Sequence, residues 1–180
     1  MVRPKQLLSA LAVAVAVGVA GCSAQPGTAA VVNGTRITED QLDDATLEYV
    51  DLTGQPAEPT VVLNTLIAAD VFPAIAAKHG LALSDQQVEQ RFEELAQQQG
   101  AKVPEGGFSP AFIDLGHYLF AAAAAQQSPD AQAVSEEFSA AMSDAKIEVN
   151  PRYGEVTKEG AIQPVQHPWI AQTPEAAPQG

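Results

Sequence analysis

At 180 residues the chain suits one domain with extensions. Its composition is rich in alanine and poor in aromatics, which points to a core of closely packed helices. The formal net charge of −13 excludes the basic face that nucleic-acid binding requires, and a single cysteine, Cys22, excludes an internal disulfide.

Met1–Cys22 reads as a processing segment. Arg3 and Lys5 form a positive amino-terminal region, and Leu7–Ala20 is an apolar run. Those 14 residues would span ~21 Å as a helix, short of a ~30 Å hydrocarbon core. Taking the two cations of residues 1–21 from the net −13 leaves −15 on the remainder, which disfavours adhesion of the body to anionic lipid. Ser23–Thr28 is a short polar linker, so that 22–28 connects the processed end to a domain.

Ala29–Asp44 (AAVVNGTRITEDQLDD) opens that domain. Val31 and Val32 suit a strand. Asn33-Gly34 supplies two residues that tolerate positive φ and so predicts a tight hairpin turn. Thr38-Glu39-Asp40-Gln41 fits a capping box, with Ile37 and Leu42 as the hydrophobic staple. A helix is expected from Thr38 to about Leu52, with Leu42, Ala45, Tyr49 and Val50 on its inner face. The acids Glu39, Asp40, Asp43 and Asp44 serve the cap and the solvated face, without the spacing of a calcium loop.

A second helix is expected from Thr60 to His79, where Leu63, Leu66, Ile67, Ala74 and Ile75 recur at helical spacing. Pro73 should kink or split it, and Lys78-His79-Gly80 signals its end. Ser84-Asp85-Gln86-Gln87 caps a third helix through about Gln99, with Val88, Phe92 and Leu95 inward. Ser109-Pro110 starts a fourth, Pro110–Gln127, apolar on most faces and therefore central; its Ala121–Ala125 run lets neighbours approach closely. Ser128-Pro129 starts a fifth, with Val134, Phe138, Ala141, Met142 and Ala145 inward. Lys146–Val149 then alternates as a strand, which Asn150-Pro151 ends. The expected fold is thus mainly α, about five helices closed by a small sheet that pairs Val31–Val32 with Ile147–Val149. Residues 155–180 read as a mostly disordered tail with Trp169 as its strong apolar anchor.

Two resemblances follow from these residues. Val19-Ala20-Gly21-Cys22 resembles the lipobox of bacterial lipoproteins. It implies diacylglyceryl transfer to the Cys22 thiol, cleavage after residue 21, and anchoring at the extracytoplasmic face of the cell membrane. Two or three acyl chains hold stably where one does not, at ~0.8 kcal/mol per buried CH₂. AAVVNGTRITEDQL and KIEVNPRYG, at opposite ends of the helical body, resemble the opening and the returning strand of the SurA/PrsA-type amino-terminal chaperone domain. That resemblance covers 29–154 and implies binding of unfolded or exported polypeptides. Glu155-Val156 departs from the aromatic-acidic pair the family leads one to expect. Only 26 residues follow Gly154, too few for the parvulin-type isomerase domain many members carry, so isomerase activity is not expected.

No catalytic, cofactor or metal residues stand out. His79 is accounted for by its helix end, His117 reads as a buried, hydrogen-bonded residue, and with His167 they have no metal-ligand spacing. There is no Gly-x-Ser-x-Gly elbow and no phosphate-binding loop. The expectation is a non-enzymatic, lipid-anchored binder of polypeptides; the alternative is a structural lipoprotein docking one specific envelope partner. The anchor is directly testable: Cys22→Ala should release the protein to the soluble fraction or trap the uncleaved precursor. Unchanged mass and unchanged detergent partitioning of that variant would overturn the assignment.

Overall fold

A computed structural model describes residues 26–164; Cys22, where lipidation is expected, and Trp169 lie outside them. The described chain is mainly helical with a small antiparallel sheet. Its helices are α1 (Glu39–Thr53), α2 (Pro59–Lys78), α3 (Asp85–Gln99), α4 (Pro110–Gln126) and α5 (Ala131–Asp144). Strands β1 (Thr28–Val32) and β2 (Thr35–Thr38) precede the helices, and β3 (Ile147–Val149), β4 (Glu155–Val156) and β5 (Ile162–Gln163) follow them.

Local chemistry sets the helix ends. Thr38 accepts from the Gln41 N–H at 3.1 Å while the Gln41 side chain accepts from the Thr38 N–H at 2.9 Å; Ser84 and Gln87 repeat the exchange on α3. Gly80 and Gly100 take left-handed φ of 68° after α2 and α3. Beyond each, the next N–H reaches back to a helical carbonyl, Leu81 to Ala76 at 2.8 Å and Ala101 to Ala96 at 2.9 Å, which closes both ends in the Schellman manner. Ser109 caps α4, and Glu48 of α1 in turn accepts from the Ser109 N–H (2.8 Å) and hydroxyl (2.6 Å). That carboxylate sits where the helix dipole favours it.

The sheet has the order β2-β1-β3. Asn33 (φ 50°) and Gly34 (φ 93°) turn β1 into β2, and β1 pairs antiparallel with β3 in the register Ala30↔Val149, Val31↔Glu148, Val32↔Ile147. Two asparagines bracket this second pairing. Asn33 donates its N–H to the Lys146 carbonyl (2.9 Å) and accepts from the Lys146 N–H on its side chain (3.0 Å). Asn150 donates its N–H to Ala29 (2.9 Å) and its side-chain amide to Thr28 (3.1 Å). Arg152 adds an ion pair to Glu39 at 2.8 Å.

The main core lies between the sheet and α1–α4, around Leu42, Leu63, Ile67, Val32, Val88 and Phe112. Helix α4 packs against all four other helices. Its approach to α3 depends on Gly116, where a Cβ would collide with Val88 and Phe92, and Phe92 stacks on Phe112 at 4.4 Å between ring centroids. Of the alanine run, Ala121 and Ala125 are buried while Ala123 and Ala124 face out.

Helix α2 runs on through Pro73, which lies on its exposed face, so of the kink or split expected there the split does not occur. Three expectations are corrected. On that same face Ala74 is exposed, and Ala76 takes the core position. Helix α5 begins at Ala131 with no side-chain cap, since Ser128–Asp130 form a turn. Lastly, the domain does not end at Gly154. Residues 155–163, assigned to the tail, fold into the β4–β5 hairpin, and Ile162 is buried in the main core. Gly154 has φ 136°, and a Cβ there would strike the Gln163 carbonyl, so this glycine is needed because the chain returns over it. Asn64 of α2 holds the hairpin, accepting from the Ile162 N–H (2.7 Å) and donating to its carbonyl (3.2 Å).

The hairpin therefore belongs to the folded body. Asn64→Ala should lower unfolding stability by about 1–3 kcal/mol, since it leaves two part-buried backbone groups without partners. Ending the chain after Gly154 should cost at least as much by removing Ile162 from the core, and ending it before Lys146 should cost far more by deleting β3. Denaturant melts of these chains check the order; equal midpoints would reject it.

Candidate functional site

Where α2, α4 and α5 meet, a second, smaller core forms around Phe72, Ile75, Ala76, Ala121, Ala125 and Val134. Spacing explains it. Phe72 and Ile75 lie one turn apart on α2, Tyr118, Ala121 and Ala125 follow one stripe of α4, and Val134 and Phe138 one stripe of α5. The aromatics meet edge to face: Phe72 with Tyr118 at 5.4 Å and 90°, and Phe72 with Phe138 at 5.3 Å and 88°, the arrangement that ring quadrupoles favour.

This second core is incompletely covered. An open groove of about 180 Å³ runs over it, lined by Phe72, Tyr118, Ala122, Ala125, Val134 and Phe138, with polar residues at the rim. Its volume is below the ~300–1,000 Å³ of small-molecule pockets, so it suits a side chain or two of a polypeptide. Burial pushes the Tyr118 hydroxyl above its usual range, which leaves a neutral donor and acceptor on the groove wall.

The α5 wall is tethered to the end of α2 by charge. His79 Nε2 is 3.2 Å from Glu137 and its Nδ1 is 3.7 Å from Asp130, while Lys78 reaches Glu137 at 3.3 Å. His79 thus does more than answer the helix dipole. His117, expected buried, is partly exposed, and its Nε2 is 2.9 Å from Asp85, joining α4 to the first turn of α3. Neither histidine belongs to a metal-binding group: among the described residues, no three His, Cys, Asp or Glu side chains are placed to hold an ion.

Two further clefts carry acidic side chains. One, of about 280 Å³, lies between β2, α2 and α4 and includes Arg36, Gln41, Asp70 and Asp114. The other, of about 240 Å³, includes Asp85, Glu89 and Asp114. No local motif marks these residues in the sequence. Arg36 is engaged, donating to the Pro26 carbonyl at 3.0 Å. Partial burial is the main reason the Asp114 carboxyl is held above its usual range; His117 opposes that, and Asp85 and Asp70 add to it.

Large apolar side chains that are exposed number four among the described residues: Leu47, Val61, Val103 and Leu119. They come from α1, α2, the α3–α4 loop and α4, and none lines the three clefts. Leu119 lies off the buried stripe of Leu115 and Ala121. No helix of the described residues is long and apolar enough to cross a membrane.

Asp114 gives a pH test with a definite sign. A carboxyl raised by folding binds its proton more tightly in the native state, so its contribution is fully present below the ordinary carboxylate range and is lost as pH rises through the raised value. Asp114→Asn should therefore stabilise the protein at neutral pH and leave it nearly unchanged near pH 3. Because the residue reaches solvent, the gain should be below about 1 kcal/mol. A variant equally or less stable at neutral pH would contradict this.

The chain matches no family model, no curated protein and no solved structure, so what bears on its role is the fold, its clefts and the sequence motifs.

Proposed function

We propose that the protein is a lipid-anchored polypeptide-binding domain at the extracytoplasmic face of the cell membrane, related in fold to the SurA/PrsA-type amino-terminal domain and without isomerase activity. The observation that carries this reading is the open apolar groove between α2, α4 and α5 with its Phe72–Tyr118–Phe138 wall. An extended segment laid there would bury one or two apolar side chains, at roughly 25 cal/mol per Å² of apolar area. Contacts of that size give weak, rapidly exchanging binding, which suits transient holding of exported chains. The charge of −15 after residue 21 favours basic segments, an effect that salt weakens.

The sheet, the helical body and the two end motifs support the family reading, and the lipobox supports the location. A second reading, docking to one specific envelope partner, is favoured by the few exposed large hydrophobics. A general holdase would present a broader apolar surface.

The mature protein should slow light scattering of a refolding client, more strongly at low salt. It should leave cis–trans relaxation of a proline peptide, with its ~18–20 kcal/mol barrier, at the uncatalysed rate. Ala122→Trp, which fills the groove from its rim, should abolish the effect on scattering without lowering stability. Isomerase turnover would overturn the proposal. No effect on scattering at stoichiometric excess would select the dedicated-partner reading.

A further inference from the structure

The two edges of the three-stranded sheet differ. Strand β3 adjoins the β4–β5 hairpin. Strand β2 pairs with β1 and has no strand on its other side among the described residues. The register settles which backbone groups face outward. Asn33 donates to Lys146 and Asn150 to Ala29, so Ala29, Val31 and Asn33 turn their backbone groups toward β3. Ala30 and Val32 therefore serve β2, through Ile37 and Thr35. Arg36 stands opposite Val31. Its backbone N–H and C=O are directed away from the sheet, and neither has a partner among the described residues.

The cleft of about 280 Å³ beside β2 is lined by Thr35, Arg36 and Ile37 but by no residue of β1, so it opens on this free edge. Across from the strand, α2 and α4 each present one stripe. Leu66, Ala69, Asp70 and Pro73 recur at helical spacing on α2, as do Ala111 and Asp114 on α4. Leu66, Ala69 and Ala111 are buried and form an apolar floor, while Asp70 and Asp114 are exposed above it. Neither carboxylate forms an ion pair among the described residues. Arg36, the cation of the lining, is turned to the Pro26 carbonyl at 3.0 Å. We propose that the open edge of β2 and this cleft form a binding site for an extended polypeptide segment bearing Lys or Arg. The segment adds to the sheet as a strand beside β2 and sets its basic side chain against Asp70 and Asp114.

Geometry and charge choose this occupant. A strand added at about 4.8 Å from β2 would pair with the Arg36 backbone and point alternate side chains at the helices, as Thr35 and Ile37 do. Partial burial chiefly, and then Asp85 and Asp70, disfavour the ionised form of Asp114, with His117 opposing them; an ammonium or guanidinium in the cleft offsets that cost. Asp114 also lines the neighbouring cleft with Asp85 and Glu89, so a segment running on across α4 meets further carboxylates. Residues 22–25 and 165–180 contain no Lys or Arg, so these ends of the chain do not supply the cation. A second copy would bring like charge, since the part after residue 21 carries −15. The site shares with the proposed function its class of ligand, a polypeptide, but uses neither the α2–α4–α5 groove nor the lipid anchor.

A blocked, fluorescent peptide of about ten alternating Lys and Val residues, added to the full-length protein in detergent, tests the site. Anisotropy should show saturable binding that Glu in place of Lys abolishes. Asp70→Asn and Asp114→Asn should each weaken binding about threefold, while Asp144→Asn, on α5 outside the cleft, should not weaken it. Backbone pairing is read separately. N-methylation of one alternate set of peptide residues should abolish binding and that of the other set should not, because one set alone turns its amides to β2. The peptide should also slow hydrogen exchange of the Arg36 amide about threefold or more. Absence of saturable binding, unchanged affinity in both aspartate variants, or indifference to N-methylation of either set overturns the proposal. Both aspartates lie outside the α2–α4–α5 groove, so any of these failures leaves the proposed function standing.

Discussion

The seam between the two ends of the folded body carries the rest of the structure. Strand β1 lies between β2 and β3, so the chain's opening is completed by a strand over a hundred residues later. Asn33 and Asn150 close that seam at either end, each combining a backbone N–H donor with a side-chain contact to the facing strand. Asparagine is suited to both positions. It tolerates the positive φ of a hairpin turn, and its amide can replace a missing ladder partner. Bringing β1 and β3 together costs the entropy of closing a loop that holds all five helices. The helices repay that cost by packing beneath the sheet, and the small Ala29 and Ala30, both fully buried, let them come close.

The helical body is built from close approaches rather than from large side chains. Gly116 permits the α3–α4 contact, Ala45 and Ala111 are buried in the same core, and most rings gather in two clusters, around Phe92 and around Phe72. The first is sealed under the α3–α4 loop by Phe108. The second is open, because α5 covers it with few apolar residues and is followed at once by β3. The incomplete cover over Phe72 and the polar fastening of α5 are two results of one feature, a short amphipathic helix laid over a core too wide for it. The groove wall is thus fastened in part by exposed polar contacts at the end of α2, whereas the main core is held by apolar burial.

Much of this was legible in the sequence. Capping boxes at Thr38 and Ser84, the Asn33-Gly34 turn, the Ser109-Pro110 start and the glycine stops act over four or five residues, and the chain obeys them. The apolar stripes of α1–α5 could also be read, because each helix buries one face at its own period. Positions were misjudged where the deciding contact is distant. Ala74 shares the apolar character of its neighbours but falls outside the buried stripe of α2. The β4–β5 hairpin was missed since two-residue strands have no readable period and Asn64, which holds them, is 98 residues away from Ile162.

By itself the sequence determined the starts of α1, α3 and α4, the turn that starts the sheet and the bias toward acid, since all of these are fixed by near neighbours or by composition. Tertiary structure alone decided that Gly154 is a point of return and not an end. It also decided that Glu48 completes the cap of α4, that His79 faces two carboxylates, and that Phe72, Tyr118 and Phe138 form one wall. Each of these is a meeting of side chains from different elements, and such meetings depend on the angles and depths at which helices pack, which no local pattern encodes.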